Sequence, residues 1–163
     1  MLTTPTIVDR PAQRYVAVRR SVTMNEFGAM AAATSDLVIA FAKQQTGELA
    51  PSLIKYNVVD MAGIMQLEFG VPITSEIEVS GEFFVDELPA GRYATVTHTG
   101  PYDELYDVTG LLVGWAKERG VEWDSAPEGN GERFASRLET YLNDPGEVPP
   151  EQLVTRLDFK VRD

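Results

Sequence analysis

Apolar and aromatic residues gather first around two Arg-Tyr pairs, Arg14-Tyr15-Val16-Ala17-Val18 and Arg92-Tyr93-Ala94-Thr95-Val96, and each run reads as a short strand. After each pair the period lengthens. Phe27, Met30, Thr34, Leu37, Val38 and Phe41 recur at helical spacing and predict a helix over 24–45, with Gly47 beyond its end. Leu105, Val108, Leu111, Leu112 and Trp115 do the same over 102–119, between the Gly100-Pro101 pair and Gly120. At the offset that superposes the two Arg-Tyr pairs, Asn25-Glu26-Phe27 falls on Asp103-Glu104-Leu105, which is a repeat signal.

Strand patterns return after each helix, at 52–60 and 63–69 in the first half and at 132–142 and 153–161 in the second. A further run at 76–84 opens the second unit. Both halves thus read strand, helix, strand, strand. That order predicts an α+β fold in which two similar units form an antiparallel sheet, with two main helices on one face and a groove between them. The expected organisation is one domain over 1–163, with pseudo-repeats at about 3–75 and 76–163. The turn-forming stretches 125–131 (SAPEGNG) and 143–150 (NDPGEVPP) are expected to be surface loops.

Composition narrows the chemistry. The chain has no cysteine and a single histidine, His98, so thiolate catalysis, disulfides, Cys-based metal sites and sites needing two imidazoles are excluded. No metal and no cofactor is expected. A net charge of -11 opposes the phosphate backbone and anionic lipid, so neither nucleic acid nor membrane is an expected partner. The first residues lack the charged and apolar regions of a signal peptide, and no apolar run is long enough to span a bilayer, so a cytoplasmic location is expected.

Within Arg137-Leu138-Glu139-Thr140-Tyr141-Leu142, strand alternation puts Arg137, Glu139 and Tyr141 on one face. A strand glutamate is most often solvated or paired with a basic neighbour, here Arg137, and pattern alone does not raise Glu139 above that reading. Trp115 shares the stripe of Val108, Leu111 and Leu112, which makes it a core tryptophan first and a ligand-stacking ring second. Tyr56, in the first-half strand that corresponds to the Glu139 strand, offers a ring face and one hydroxyl. His98 stands at a strand end before a Gly-Pro turn, where local hydrogen bonding is its ordinary use, and no nucleophile motif accompanies it. The run Glu128-Gly129-Asn130-Gly131 lacks the lysine and spacing of a phosphate loop.

Three segments taken in order, Leu88-Pro89-Ala90-Gly91-Arg92-Tyr93, His98-Thr99-Gly100-Pro101-Tyr102 and Leu138-Glu139-Thr140-Tyr141-Leu142-Asn143-Asp144-Pro145, resemble the GyrI-like family, the effector-binding domains of AraC- and MerR-type regulators. The resemblance covers essentially the whole chain, with Tyr56 in the first half and Leu157-Asp158-Phe159 in a final strand. It implies a duplicated strand-helix-strand-strand fold of the SHS2 kind whose groove binds bulky, hydrophobic and often cationic compounds. Glu139 would meet the positive charge, and Tyr56, Trp115 and Tyr141 would line the groove. It also implies two alternatives: hydrolysis of cyclopropane-bearing alkylating natural products by the same glutamate, and interaction with a protein such as gyrase or a transcription regulator. No helix-turn-helix precedes the domain in this sequence, so direct control of transcription is not expected.

Overall fold

The computed structural model describes all 163 residues. The chain runs β1 (Thr6–Arg10), β2 (Gln13–Val22), α1 (Met24–Thr46), β3 (Leu53–Val59), β4 (Met65–Pro72), β5 (Phe84–Leu88) and β6 (Gly91–Thr99). A 3-10 turn at Tyr102–Glu104 leads into α2 (Leu105–Glu118), followed by β7 (Ser125–Glu128), β8 (Gly131–Phe134), β9 (Arg137–Tyr141) and β10 (Val154–Lys160). The fold is α+β, a mostly antiparallel sheet with two helices.

α1 starts where Thr23 and Glu26 form a capping box, with the Thr23 hydroxyl and backbone N–H both donating to Glu26 Oε1 at 2.7 and 3.0 Å. It stops at Gly47, whose φ of 73° turns the chain out of the helix while its N–H donates to the Lys43 carbonyl. Thr34, Val38 and Ala42 face the sheet and are buried, whereas Leu37, placed on that stripe by its spacing, is exposed. In α2 the buried face is Leu105, Val108, Leu112 and Ala116, and Leu111 points to solvent instead. A period of 3.6 leaves stripe-edge positions undecided, and the sheet beneath reaches only part of the stripe.

The strand order is β1-β6-β10-β9-β3-β4-β2-β5. The three strands β2, β4 and β3 of the first half and β6, β10 and β9 of the second approach the same junction from opposite sides, so β3 and β9 are neighbours at the centre. Two short links decide the shape. Pro11-Ala12 joins β1 to β2 and Pro89-Ala90 joins β5 to β6, yet each link connects strands at opposite ends of the order. A two-residue link cannot span a flat eight-strand row, because strands lie about 4.8 Å apart, so the sheet must curl. Tyr15 of β2 and Tyr93 of β6 accordingly share one buried cluster with Ala17, Leu53, Leu88 and Leu138 on the concave face.

On the other face the core is in two parts. α1 packs over β2 and β4, enclosing Val16, Val18, Ile54, Tyr56, Leu67 and Phe69 among others, and α2 packs over β6, enclosing Ala94, Val96, Leu157 and Phe159. Leu112 is fully buried at the centre of the second part. Leu112→Ala is expected to cost about 3 kcal/mol, measured as a fall in the urea midpoint at unchanged slope.

Three sequence expectations need correction. The segment 76–84 is not a strand: the strand is Phe84–Leu88, and it pairs with β2 of the first half. The stretch 125–131 is not a plain loop, since Ser125–Glu128 pairs with Gly131–Phe134 as a hairpin around Gly129, whose φ is 58°. The expected strand over 132–142 is broken at Ala135-Ser136 into β8 and β9, both of which pair with β3. The strand β1 has no counterpart in the sequence reading, because Thr6-Ile7-Val8-Asp9-Arg10 is short and its partner β6 lies far along the chain.

Candidate functional site

β9 lies between β3 and β10, and Glu139 pairs across them with Ile54 on one side and Leu157 on the other. Cross-strand partners share a sheet face. Ile54 belongs to the core under α1 and Leu157 to the core under α2, so the Glu139 side chain stands on the helix face at the seam between them. The expected alternation holds: Leu138 is buried in the concave cluster, and Arg137, Glu139 and Tyr141 are partly buried on the opposite face.

Both oxygens of the carboxylate are engaged. Tyr56 Oη donates to Glu139 Oε1 at 2.9 Å, and Tyr141 Oη donates to Oε2 at 2.8 Å. Tyr141 is two residues along the same strand. Tyr56 comes from the first half, beside a register shift between Tyr56 and Val58 that opposes the Ala135-Ser136 break between β8 and β9. Alternation along β3 puts Tyr56 on the face of Ile54, the cross-strand partner of Glu139, and so directs the phenol toward the β9 carboxylate.

Burial pushes the Glu139 carboxyl above the usual carboxylate range, against the lowering effect of the Tyr141 and Tyr56 hydrogen bonds and of the Arg137 charge. The same burial, joined by the Glu139 charge, pushes both phenols well above theirs, so they remain donors at neutral pH. The result is a carboxylate held in place by two fixed donors, with an elevated proton affinity. Such a group can face a cation or take a proton from water.

Three neighbours complete the setting. The Tyr102 ring meets Tyr141 edge-on at 5.4 Å, and Phe27 of α1 lies 6.4 Å from Tyr56. The Arg137 guanidinium sits over the rings of Phe159, Phe134 and Tyr56 at 4.5, 5.0 and 5.5 Å, and its Nε is buried without a hydrogen-bond partner. Of these, Arg137 was visible as a same-face neighbour of Glu139, and Tyr102 lay within a segment carrying the family resemblance. Phe27 read only as part of a helix stripe.

Trp115 is elsewhere. Its ring packs against the core under α2, covered by the Arg119 guanidinium at 4.7 Å, and no hydrogen bond or ring contact joins it to Glu139, Tyr56 or Tyr141. His98 is buried with Nε2 2.8 Å from Glu104 Oε2 at the start of α2, a local use apart from Glu139. No three His, Asp or Glu side chains converge as a metal site, and no helix is long and apolar enough to cross a membrane.

The structure is thus a curled antiparallel sheet carrying two helices on one face, with a phenol-held carboxylate at their seam. The chain matches the GyrI-like small molecule binding domain over residues 3–162 and belongs to that family. No curated protein matches it in sequence. Among solved structures it is similar to the C-terminal domain of EcmrR, with a TM-score of 0.76 at 17% identity over 98% of each chain. In the EcmrR-DNA complex the TM-score is 0.79 at 19% identity, covering 98% of this chain and 57% of EcmrR, so the chain spans little more than half of that protein. It is also similar to SAV2435 bound to tetraphenylphosphonium, with a TM-score of 0.64 at 10% identity over 98% of this chain and 94% of that one. A hydrolase from Listeria innocua gives 0.60 at 14% identity over 97% and 91%.

Proposed function

We propose that the space between α1 and α2, floored by β3, β9 and β10, is a groove for a bulky hydrophobic cation, with Glu139 as its charge partner and Tyr56 and Tyr141 as walls. The carrying observation is the seam carboxylate whose two oxygens are held by phenols from both halves of the chain. The matching strand orders on either side of that seam support reading 3–75 and 76–163 as related units of one domain. Trp115, whose ring packs against the core under α2, would support the α2 side of the groove without touching the charge site.

Apolar burial of roughly 300 Å² would contribute about 7 kcal/mol before entropic costs, so rings and shape supply most of the affinity. A charge pair at about 4 Å adds roughly 4 kcal/mol at an effective dielectric of about 20, much of it offset by desolvation. Glu139 therefore selects more than it holds. Arg137 tempers that selectivity, since its positive charge shares the face. Arg137→Gln is expected to tighten tetraphenylphosphonium binding by about three- to tenfold at pH 8, as read by calorimetric titration.

The elevated proton affinity of Glu139 favours a second reading, hydrolysis of a cyclopropane-bearing alkylator. Glu139 would accept a proton from water as the water oxygen bonds to a ring carbon. The broken ring bond would leave its electron pair on the conjugated acceptor of the substrate, which then takes up a proton. Incubation with such an alkylator should yield the ring-opened water adduct by mass spectrometry, and Glu139→Gln should abolish it. Unchanged alkylator after prolonged incubation rules the reading out.

A further inference from the structure

β3 has two faces, and only one carries the Glu139 site. Lys55 and Asn57 flank Tyr56 in sequence and project to the concave side, where they line a cavity of ≈ 520 Å³ together with Arg19, Gln66, Glu68 and Arg133. Arg20 also reaches its rim. In a chain with 14 basic and 25 acidic residues, four of the basic ones line this single cavity and only one acidic residue does. That local sign is the reverse of the chain's net charge of -11.

The floor is built. Arg19, Glu68 and Lys55 form one cross-strand row on β2, β4 and β3. Glu68 is 3% exposed, and its carboxylate accepts from Tyr15 Oη at 2.5 Å and Asn57 Nδ2 at 2.6 Å. Its charge is thereby occupied within the protein. Arg20 pairs outward with Glu82 at 3.0 Å and Arg133 with Glu128 at 2.7 Å. Lys55 is different. Its Nζ has the Asn57 side-chain oxygen as hydrogen-bond partner and no carboxylate within ion-pair distance, and burial depresses its proton affinity more than the nearby Glu68 and Asp86 charges restore it. Arg19 reaches Glu68 only at 3.8 Å and otherwise lies over the Phe84 ring. Glu68, with Asp86 further off, thus faces two basic groups, Lys55 and Arg19, with unused donors.

We propose that this cavity is a second binding site, for a small oxyanion, a phosphate or carboxylate group gripped by Lys55 and Arg19 with Arg133 and Gln66 at its mouth. Its charge preference is opposite to that of the Glu139 groove, and the proposal stands whether or not that groove takes a cation. An oxyanion beside Lys55 would give the ammonium a counter-charge that the fold leaves out, and the guanidinium of Arg19 a planar acceptor.

The test is amide chemical-shift titration of the whole protein with inorganic phosphate and, separately, with benzoate, at low ionic strength against a chloride control. The expected result is saturable shifts centred on Lys55, Gln66 and Glu68 with at least one of the two probes. Phosphate as the tighter probe assigns the site to phosphates, and benzoate as the tighter one assigns it to organic carboxylates. Lys55→Gln should weaken binding at least tenfold. Arg133→Gln, at an exposed position that threatens folding little, should weaken it about threefold, and Lys117→Gln on α2 should not change it. Shifts that never saturate with either probe, that chloride reproduces, or that survive Lys55→Gln and Arg133→Gln undiminished would overturn the proposal.

Discussion

Glu139→Gln should weaken tetraphenylphosphonium binding by about ten- to a hundredfold while changing the affinity of neutral triphenylphosphine oxide by less than about threefold. The reasoning is differential. Glutamine keeps the size of the side chain and an oxygen that can accept from Tyr56 or Tyr141, so the apolar walls stay in place and only the charge is removed. The cation affinity of the native protein should also rise with pH, because a protonated Glu139 offers no charge. That rise should follow the Glu139 carboxyl, which burial places above the ordinary glutamate range, and level off once the group is ionised. The variant should give a flat profile. Equal losses for cation and neutral ligand, or a native affinity independent of pH, would show that Glu139 acts only through shape.

The same substitution should make the unliganded protein more stable near neutral pH. A carboxyl whose folded-state affinity for protons exceeds its unfolded one contributes stability that is complete below the unfolded pKa, about 4.3, and lost as pH rises through the folded value. At pH 8 the native chain therefore holds an ionised carboxylate in a desolvated seam, and glutamine relieves that cost. Removing Glu139 also takes a counter-charge from Arg137, which works the other way. The net direction of the Glu139 shift is upward with Arg137 already acting on it, so relief is the larger effect. A gain of about 1 kcal/mol corresponds to about 2–4 °C in Tm for a domain of this size. The difference should shrink as pH is lowered from 8 toward 5. A lower Tm for the variant at pH 8 would mean that the Arg137 pairing dominates. Loss of selectivity with gain of stability is the pattern of a group kept for binding.

The two helices and most strands were legible in the chain because burial on one face imposes a period. Gly47 marks the end of α1 in sequence and in space. Reading failed where pairing depends on partners far along the chain. β5 is the clearest example, since Phe84–Leu88 has nothing local to show that it joins β2 instead of a second-half strand. The β7–β8 hairpin hid behind turn residues for a similar reason, as a run rich in Gly, Pro and Asn reads the same in a loop and around a tight turn.

At the site, sequence alone placed Arg137, Glu139 and Tyr141 on one strand face, since alternation is local, and left Glu139 more readily solvated than functional. What separated Tyr56 from Trp115 was tertiary. Both were aromatic residues on predicted elements, yet β3 became the central neighbour of β9, bringing the Tyr56 phenol within 2.9 Å of the carboxylate, while α2 turned Trp115 onto its own half of the core. The chain by itself determined the two helices, most of the strands, the charge and the face of Glu139, because each follows from spacing or composition. Only the folded sheet decided which strand lies beside which, and with it the burial that raises the proton affinity of Glu139 and the concave cavity around Lys55, because both depend on residues that meet only when the strands pair.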